Sequence, residues 1–334
     1  MNGKSILVTG GTGSFGKQFC ATILKHYKPK RLIIYSRDEF KQSEMAKEEV
    51  FQRTCMRFFL GDVRDAQRLQ RAMNDVDIVV HAAALKQVPA AEYNPHEFIK
   101  TNIDGAVNVV EAALNTGVEK VVALSTDKAV NPINLYGATK LCSDKVFIAA
   151  NSYSGSKNTR FSVVRYGNVI GSRGSVIPLF LEQKKKGALS ITDSRMTRFF
   201  ISLDEGVDFV IQCLESMVGG ELFVPKISSC YILDIAKAIA PDSKIHEIGI
   251  RPGEKVHEVL IPRDESYITL EFGNHYLIQP IIKNWENGKH SSKGKPCSPD
   301  FAYSSNENQD WLSCEQLKPI CRKVAKELAF EVDF

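Results

Sequence analysis

Two short stretches hold residue types that could move protons. Ser125-Thr126-Asp127-Lys128 sets a carboxyl beside an amine, and LYGATK places Tyr136 and Lys140 one helical turn apart on one face. An ammonium near a phenol lowers the phenol's pKa, so Tyr136, assisted by Lys140 and Thr126, suits removal of a proton from a hydroxyl. A carboxyl beside an amine could serve as an acid and a base. The competing reading of Asp127–Lys128 is an exposed ion pair, and a lone Y-x-x-x-K spacing is common by chance.

A second signal stands near the amino terminus, where residues 9–16 read TGGTGSFG after a strand pattern and before a helical one. A P-loop needs Ser or Thr after its lysine to ligate magnesium, and Gln18 follows Lys17 here. The spacing of Gly10, Gly13 and Gly16 fits a dinucleotide loop, where the backbone approaches a pyrophosphate at a helix N-terminus. Contacts to the dinucleotide are expected from Gly10, Thr12, Gly13, Ser14, Phe15 and Gly16. Twenty residues past Gly16 the second strand ends at Ser36-Arg37, where an NAD site usually carries Asp or Glu. Ser36, Arg37 and Lys41 suit a 2′-phosphate, which favours NADP; Asp38 and Glu39 argue the other way unless Asp38 caps the next helix. Asp62 and Val63 follow the third strand, where adenine would lie. Ala82 and Lys86 follow the fourth, with Lys86 facing the cofactor, the sugar or both, and Tyr136 and Lys140 complete the cofactor contacts.

These residues need a scaffold of repeated strand–helix units. Apolar runs at 5–8, 31–35, 57–60, 77–80, 120–124 and 161–165 alternate with helical periodicity, as over 98–114 behind the Asn94-Pro95 start signal. The expected fold is α/β, a Rossmann-type doubly wound parallel sheet over residues 1–167 with returning segments from about 195–225. A smaller, interleaved substrate lobe is expected over 168–334, with helices at 175–186, 203–217, 232–240 and 315–329 and a mobile surface loop at 283–300. Ligands bind at the carboxyl ends of such parallel strands, and STDK and the glycine loop both stand there. That shared position joins the separate signals into one site.

Composition narrows the class. The chain has 334 residues, a formal charge of +4, and is 43% hydrophobic and 25% charged, an ordinary globular balance. So small a charge argues for neither nucleic acid nor membrane, and Lys184-Lys185-Lys186 reads as a solvated face. The eight cysteines form no C-x-x-C and no zinc pattern, so no metal is expected and reduced thiols in a cytoplasmic setting are. A strand pattern begins too early for a signal peptide, and no apolar run reaches the ~18–20 residues of a membrane helix.

TGGTGSFG, HAAALK (81–86), STDK, YGATK, RYGN (165–168) and RPGEKVHE (251–258) occur in the order of a known family. Over roughly residues 4–280 the chain resembles the extended short-chain dehydrogenase/reductases that act on nucleotide sugars. YSRDEFKQSEM, STDKAVNPINLYGATKLCSDK and RYGNVIGSRGSV are similar in detail to the C5-inverting UDP-N-acetylglucosamine 4,6-dehydratases of the pseudaminic acid pathway. Related dTDP-glucose 4,6-dehydratases read Ser-Thr-Asp-Glu where this chain reads Ser-Thr-Asp-Lys. The resemblance therefore implies that Asp127 stays the acid and protonates the departing hydroxyl, while an amine, Lys128, replaces the carboxylate base and takes the carbon-bound proton. For that Lys128 must be neutral, with its pKa lowered by burial beside Lys140 or a cofactor. The family's 4-epimerases have small residues at these positions.

The implied reaction oxidises C4 with a tightly bound NADP that is regenerated each turnover, eliminates water across C5 and C6, returns hydride to C6 and inverts C5. The resemblance also implies Asn168 and Arg198 near the diphosphate, Arg251 clamping it, and Glu254 on the uridine ribose. Arg173, Val176 and Thr192 would line the nucleotide pocket. A UDP-sugar is the expected partner, in a homo-oligomer of hexameric form, with no nucleic acid and no membrane. Longer relatives carry membrane-spanning amino-terminal regions, so the free-standing catalytic form is expected. A C5-retaining dehydratase or a UDP-hexose 4-epimerase would share nearly every feature. A non-catalytic NADP-binding sensor would commonly lack the tyrosine–lysine pair.

Overall fold

Six short apolar runs become the parallel heart of the fold: β1 (Ser5–Thr9), β2 (Arg31–Ser36), β3 (Met56–Leu60), β4 (Ile78–His81), β5 (Lys120–Thr126) and β6 (Arg160–Tyr166). All five residues of β1 are buried, as for a strand covered on both faces by helices. The computed structural model describes residues 1–155, 158–172, 174–281 and 293–330. Each expected strand is present, within two residues of its expected ends.

The sheet order is β6-β5-β4-β1-β2-β3, so β1 lies between β2 and β4 and the chain winds away from it in both directions. Val8 pairs with Ile34 on one side and Val80 on the other. The loops after β1 and β4 therefore diverge and open a crevice at the carboxyl ends of the strands, the switch point where such sheets bind ligands.

The sheet continues past β6, with Leu222–Pro225 parallel to it, then His275–Ile278, Thr269–Glu271 and Lys295–Pro296 antiparallel. The expected boundary at 167, with a return over about 195–225, covers the first of these four strands and not the other three. Within the expected loop at 283–300, residues 283–292 lie outside the described residues, and Lys295–Pro296 forms the edge strand. A second hydrophobic cluster joins helices Val176–Lys184, Ile232–Ile239 and Cys314–Glu327 through Phe180, Ile235 and Leu317. Those helices and Leu203–Ser216 stand close to their expected positions.

The helix expected over 98–114 is interrupted. Pro95–Phe98 is α-helical, Ile99–Asp104 is a π-helical turn, and Gly105–Thr116 resumes the α-helix. The π turn carries Asn102, whose amide donates to Leu85 O at 2.9 Å and Thr139 Oγ1 at 3.0 Å and whose oxygen accepts from Leu85 N at 2.9 Å. A wide turn of this kind re-aims one side chain at small cost, and here it pins the loop that carries Lys86. Asn94 does not cap the helix; its side chain donates to Ala90 O.

All eight cysteines are free, and Cys20, Cys213, Cys230 and Cys321 are buried as small hydrophobes. Among the described residues no helix is long and apolar enough to cross a membrane.

Candidate active site

At the carboxyl end of β1 the chain turns through Gly10 at φ +66°, a conformation that favours glycine, and a Cβ there would come within 2.9 Å of the Ala83 backbone. Gly13 then takes the N-cap position of helix Ser14–His26 without capping it by a side chain, leaving the first amides of the helix facing the crevice. The crevice is a cleft of about 820 Å3 lined by Gly10, Thr12, Gly13 and Ser14, by Ser36, Arg37 and Lys41, and by Asp62, Val63 and Ala82. Its shape and glycine floor fit a dinucleotide. Phe15 instead packs against Phe19 and Tyr166, and Gly16 is buried beneath the turn. Lys17, the would-be P-loop lysine, pairs with Glu48 at 2.6 Å.

The wall past β2 is electrostatically poised. The Ser36 hydroxyl accepts from Gln42 Nε2 at 3.0 Å. Arg37 faces Asp62 at 3.8 Å and Lys41 pairs with Asp38 at 2.7 Å. Asp38 does cap the next helix, accepting from Lys41 N at 2.9 Å, which removes it as a simple stand-in for a ribose-binding acid.

The residues expected to move protons gather past β5. Thr126 ends the strand, Asp127–Ala129 forms a single 3-10 turn, and helix Leu135–Ala149 begins behind the Asn134 cap. Helix and turn touch directly: a Cβ at Gly137 would overlap the Lys128 carbonyl oxygen. This close approach brings Tyr136, Asp127 and Lys128 together. Asp127 is fully buried, accepting from Thr126 Oγ1 at 2.9 Å and Lys128 Nζ at 3.1 Å, and its Oδ2 has no partner. It is not the exposed ion pair of the competing reading.

Two expectations about proton affinity are corrected. Burial pushes the Tyr136 phenol up to about 12, against the opposing pull of the Lys128 ammonium and a hydrogen bond with Thr126. The expected fall does not occur because desolvation outweighs the cations. Burial also opposes the Lys128 ammonium, but Asp127 and Glu258 outweigh it and leave the Lys128 pKa raised instead of lowered. Burial lowers the Lys140 pKa, and Asp144 only partly restores it. Asp144 accepts from Ser125 Oγ at 2.7 Å and faces the fully buried Arg165 at 3.7 Å, so a charge network runs under the site.

Glu258, unremarked in the sequence, is the residue that reasoning from motifs misses. Its Oε1 stands 3.3 Å from Lys128 Nζ and 3.9 Å from Arg198 Nε, and its Oε2 is buried without a partner. RPGEKVHE crosses the catalytic turn: Lys255 Nζ donates to Val130 O at 2.5 Å and Asn134 Nδ2 to Gly253 O at 2.8 Å. The signal that could have found Glu258 is its place in a charged segment that must close over another charged turn.

The remaining expected residues divide. Arg198, placed by resemblance near a diphosphate, is buried and spends its donors on the carbonyls of Thr197, Lys255 and Val256, fastening RPGEKVHE to the fold. Arg251 is exposed, and its carbonyl accepts from Glu254 N at 3.1 Å. Glu254 Oε2 and Asn168 Oδ1 are buried without partners, as side chains awaiting a polar ligand would be. Lys86 lies close enough to Lys128 that burial first, and then that cation, lowers its pKa. Val176 opens helix Val176–Lys184 against the second core and Thr192 follows strand Ala188–Ile191; neither joins the Asp127–Lys128–Glu258 cluster. Arg173 lies outside the described residues. Among the described residues no His, Cys, Asp and Glu group could hold a metal ion.

Residues 6–280 match the family model described as polysaccharide biosynthesis protein. The chain is 56% identical over 327 residues to UDP-N-acetylglucosamine 4,6-dehydratase (inverting) of Campylobacter jejuni subsp. jejuni serotype O:23/36 (strain 81-176), covering 96% of this chain and 97% of that protein. It is 41% identical to UDP-glucose 4-epimerase of Rickettsia bellii (strain OSU 85-389), with 95% of each chain covered. Among solved structures, Pen from Bacillus thuringiensis superposes with a TM-score of 0.88 at 35% identity, over 97% of this chain and 98% of that one.

One titration prediction follows from the geometry. His81 ends β4, bonded through Nδ1 to Thr9 Oγ1 at 2.8 Å, and burial, helped by the Lys140 charge, holds its pKa down to about 3. The fold holds it neutral, whereas the unfolded chain binds a proton below the ordinary value of 6.5. Its contribution to stability is complete above 6.5 and is lost as pH falls toward 3. Between pH 6.5 and 4.5 this group alone removes about 2–3 kcal/mol. Urea melts at the two pH values should show that loss in the unmodified chain and a flatter dependence in His81→Gln.

Proposed function

The chain belongs to the polysaccharide biosynthesis protein family of extended short-chain dehydrogenase/reductases, and we propose that it is a UDP-N-acetylglucosamine 4,6-dehydratase of the C5-inverting kind. The observation that carries this reading is Asp127 beside Lys128, an acid and an amine sharing one proton across 3.1 Å at the carboxyl end of β5, the end of the sheet at which the cofactor cleft opens. Epimerisation at C4 needs no such pair; elimination of water does. The 56% identity to the inverting dehydratase supports the same choice over the epimerase, at 41%.

When bound, a nicotinamide dinucleotide supplies reversible hydride acceptance, taking it from C4 and giving it back at C6. The chain's own residues handle the protons. Tyr136 accepts the proton of the sugar 4-hydroxyl as the phenolate, a form that burial opposes and that the Lys128 ammonium and the Thr126 hydroxyl beside it favour. The ketone at C4 acidifies the C5 proton, which Lys128 removes, while Asp127 protonates the 6-hydroxyl as it leaves. Moving the shared proton from Lys128 to Asp127 converts the ion pair into the amine and acid these roles need, with no net change of charge. C5 takes a solvent-derived proton on its opposite face and Tyr136 releases to solvent the proton it took, giving UDP-2-acetamido-2,6-dideoxy-β-L-arabino-hex-4-ulose. Asn168, Glu254 and Arg251 serve the UDP moiety, supported by the partnerless buried oxygens of the first two.

NADP is the cofactor we infer. The support is Ser36 at the end of β2, where NAD sites carry an acid, with Arg37 and Lys41 on the cleft wall. Arg37→Ala should weaken NADP binding by about tenfold or more, the worth of one charge-assisted phosphate contact, and leave NAD binding within about threefold. Fluorescence titration with both dinucleotides reads this; equal losses for the two contradict the NADP assignment. For the reaction itself, Lys128→Ala should lower dehydration of UDP-N-acetylglucosamine by on the order of 10³-fold. Near-normal turnover in that variant would sink the base assignment.

A further inference from the structure

Lys128 has two carboxylates on it and the elimination uses only one. Glu258 lies on the RPGEKVHE segment, 2% exposed, with its backbone N–H donating to Ser305 Oγ at 3.0 Å and its carbonyl accepting from Ser305 N at 2.8 Å. Its carboxylate reaches from that fixed backbone to 3.3 Å from Lys128 Nζ. We propose that Glu258 is a positioning residue of the dehydration, holding the Lys128 amine toward C5 and balancing the ammonium that forms there. The proposal rests on the dehydratase reading above.

The proton inventory gives the reason. Before elimination Asp127 must be a neutral acid and Lys128 a neutral amine. The Lys128 lone pair then takes the C5 proton, and the C5–H electron pair becomes the second bond between C5 and C6. The C6–O pair departs with the hydroxyl, which takes the Asp127 proton and leaves as water. While those bonds change, Asp127 is still giving up its proton and cannot yet carry a full negative charge. Among the described residues, the other groups facing Lys128 are Arg198 from strand Thr197–Ile201, Lys255 beside Glu258, Lys86 from the loop after β4 and the Tyr136 phenol from helix Leu135–Ala149. Three of these are cations that oppose a new ammonium. Glu258 is the carboxylate in place to favour it. Afterwards the proton passes from Lys128 to Asp127 across their 3.1 Å bond, which resets the pair.

Two measurements on the full chain with its cofactor test this. In the first, acetic anhydride labels lysines at pH 8 in the absence of substrate, with peptide mass spectrometry comparing Lys128 with the exposed Lys186. Only a neutral amine reacts, so Glu258→Gln should raise relative Lys128 labelling by about tenfold, the effect of one pKa unit. An unchanged or slower rate overturns the proposal. In the second, substrate deuterated at C5 is turned over. Glu258→Gln should lower kcat by about tenfold or more, leave KM within about threefold, and enlarge the deuterium isotope effect, because C5–H cleavage has lost its help. Glu258→Asp keeps the charge on a shorter arm and should fall between the two on both readouts. It also carries the test if the glutamine variant does not fold. A rise in KM alone, or a fall in kcat with an unaltered isotope effect, overturns the positioning role. If the unmodified chain does not dehydrate UDP-N-acetylglucosamine, the dehydratase reading fails, and the labelling arm still decides whether Glu258 holds Lys128 charged.

Discussion

An amine that must be a base is held between two carboxylates, and much of the architecture serves that contact. Lys128 and Asp127 come from one tight turn at the end of β5, and Glu258 arrives 130 residues later on a segment fastened by Arg198 and Lys255. Taking these charges from water is costly unless each is paired and its remaining valences are met. Here the pairing is good but incomplete: Asp127 Oδ2 and Glu258 Oε2 remain buried without partners. Sites of this kind keep such groups where a substrate can complete them. The raised Lys128 pKa therefore reports a tightly held ion pair, and in the proposed elimination reactivity comes from moving one proton within it.

Everything else supports that placement by rigid packing. The central strands β1 and β4 are buried on both faces, so their register and the positions of their ends leave little freedom. Helix Leu135–Ala149 can press onto the catalytic turn only because Gly137 lacks a side chain. The π turn at Ile99–Asp104 diverts Asn102 to hold the loop that brings Lys86 near the cluster. Cofactor cleft and proton-moving residues thus share one end of one sheet, as reversible oxidation at C4 and proton removal at C5 require.

Much of this was legible in residue types and spacing. Alternating apolar runs located the six parallel strands, and the glycine loop located the cleft, because both depend on local chemistry that every residue in the run repeats. Asp127, Lys128 and Tyr136 were legible as neighbours because a strand end and a helix start bring them together over ten residues. Proton affinities were not legible. The sequence suggested that Lys140 would lower Tyr136 and that burial beside Lys140 or a cofactor would lower Lys128, but burial raises Tyr136, and Asp127 together with the remote Glu258 raises Lys128. The three antiparallel strands past residue 225 were also missed, since runs as short as Thr269–Glu271 carry too little periodicity to be read. The bonds of Arg198 to the carbonyls of Thr197, Lys255 and Val256 were not legible either, since only the folded path of residues 255–256 brings two of them within reach.

In the proposed reaction one shared proton lets Asp127 and Lys128 eliminate water while C5 is rebuilt from its other face. Turnover of UDP-N-acetylglucosamine in deuterium oxide, followed by proton NMR of the product, tests this most directly. The expected product is a 4-keto, 6-deoxy sugar with a methyl at C6 that keeps the hydrogen from C4, and a single deuterium at C5 in the inverted configuration. Protium carried over at C5, a retained C5 configuration, or a product epimerised at C4 with its 6-hydroxyl intact would contradict it.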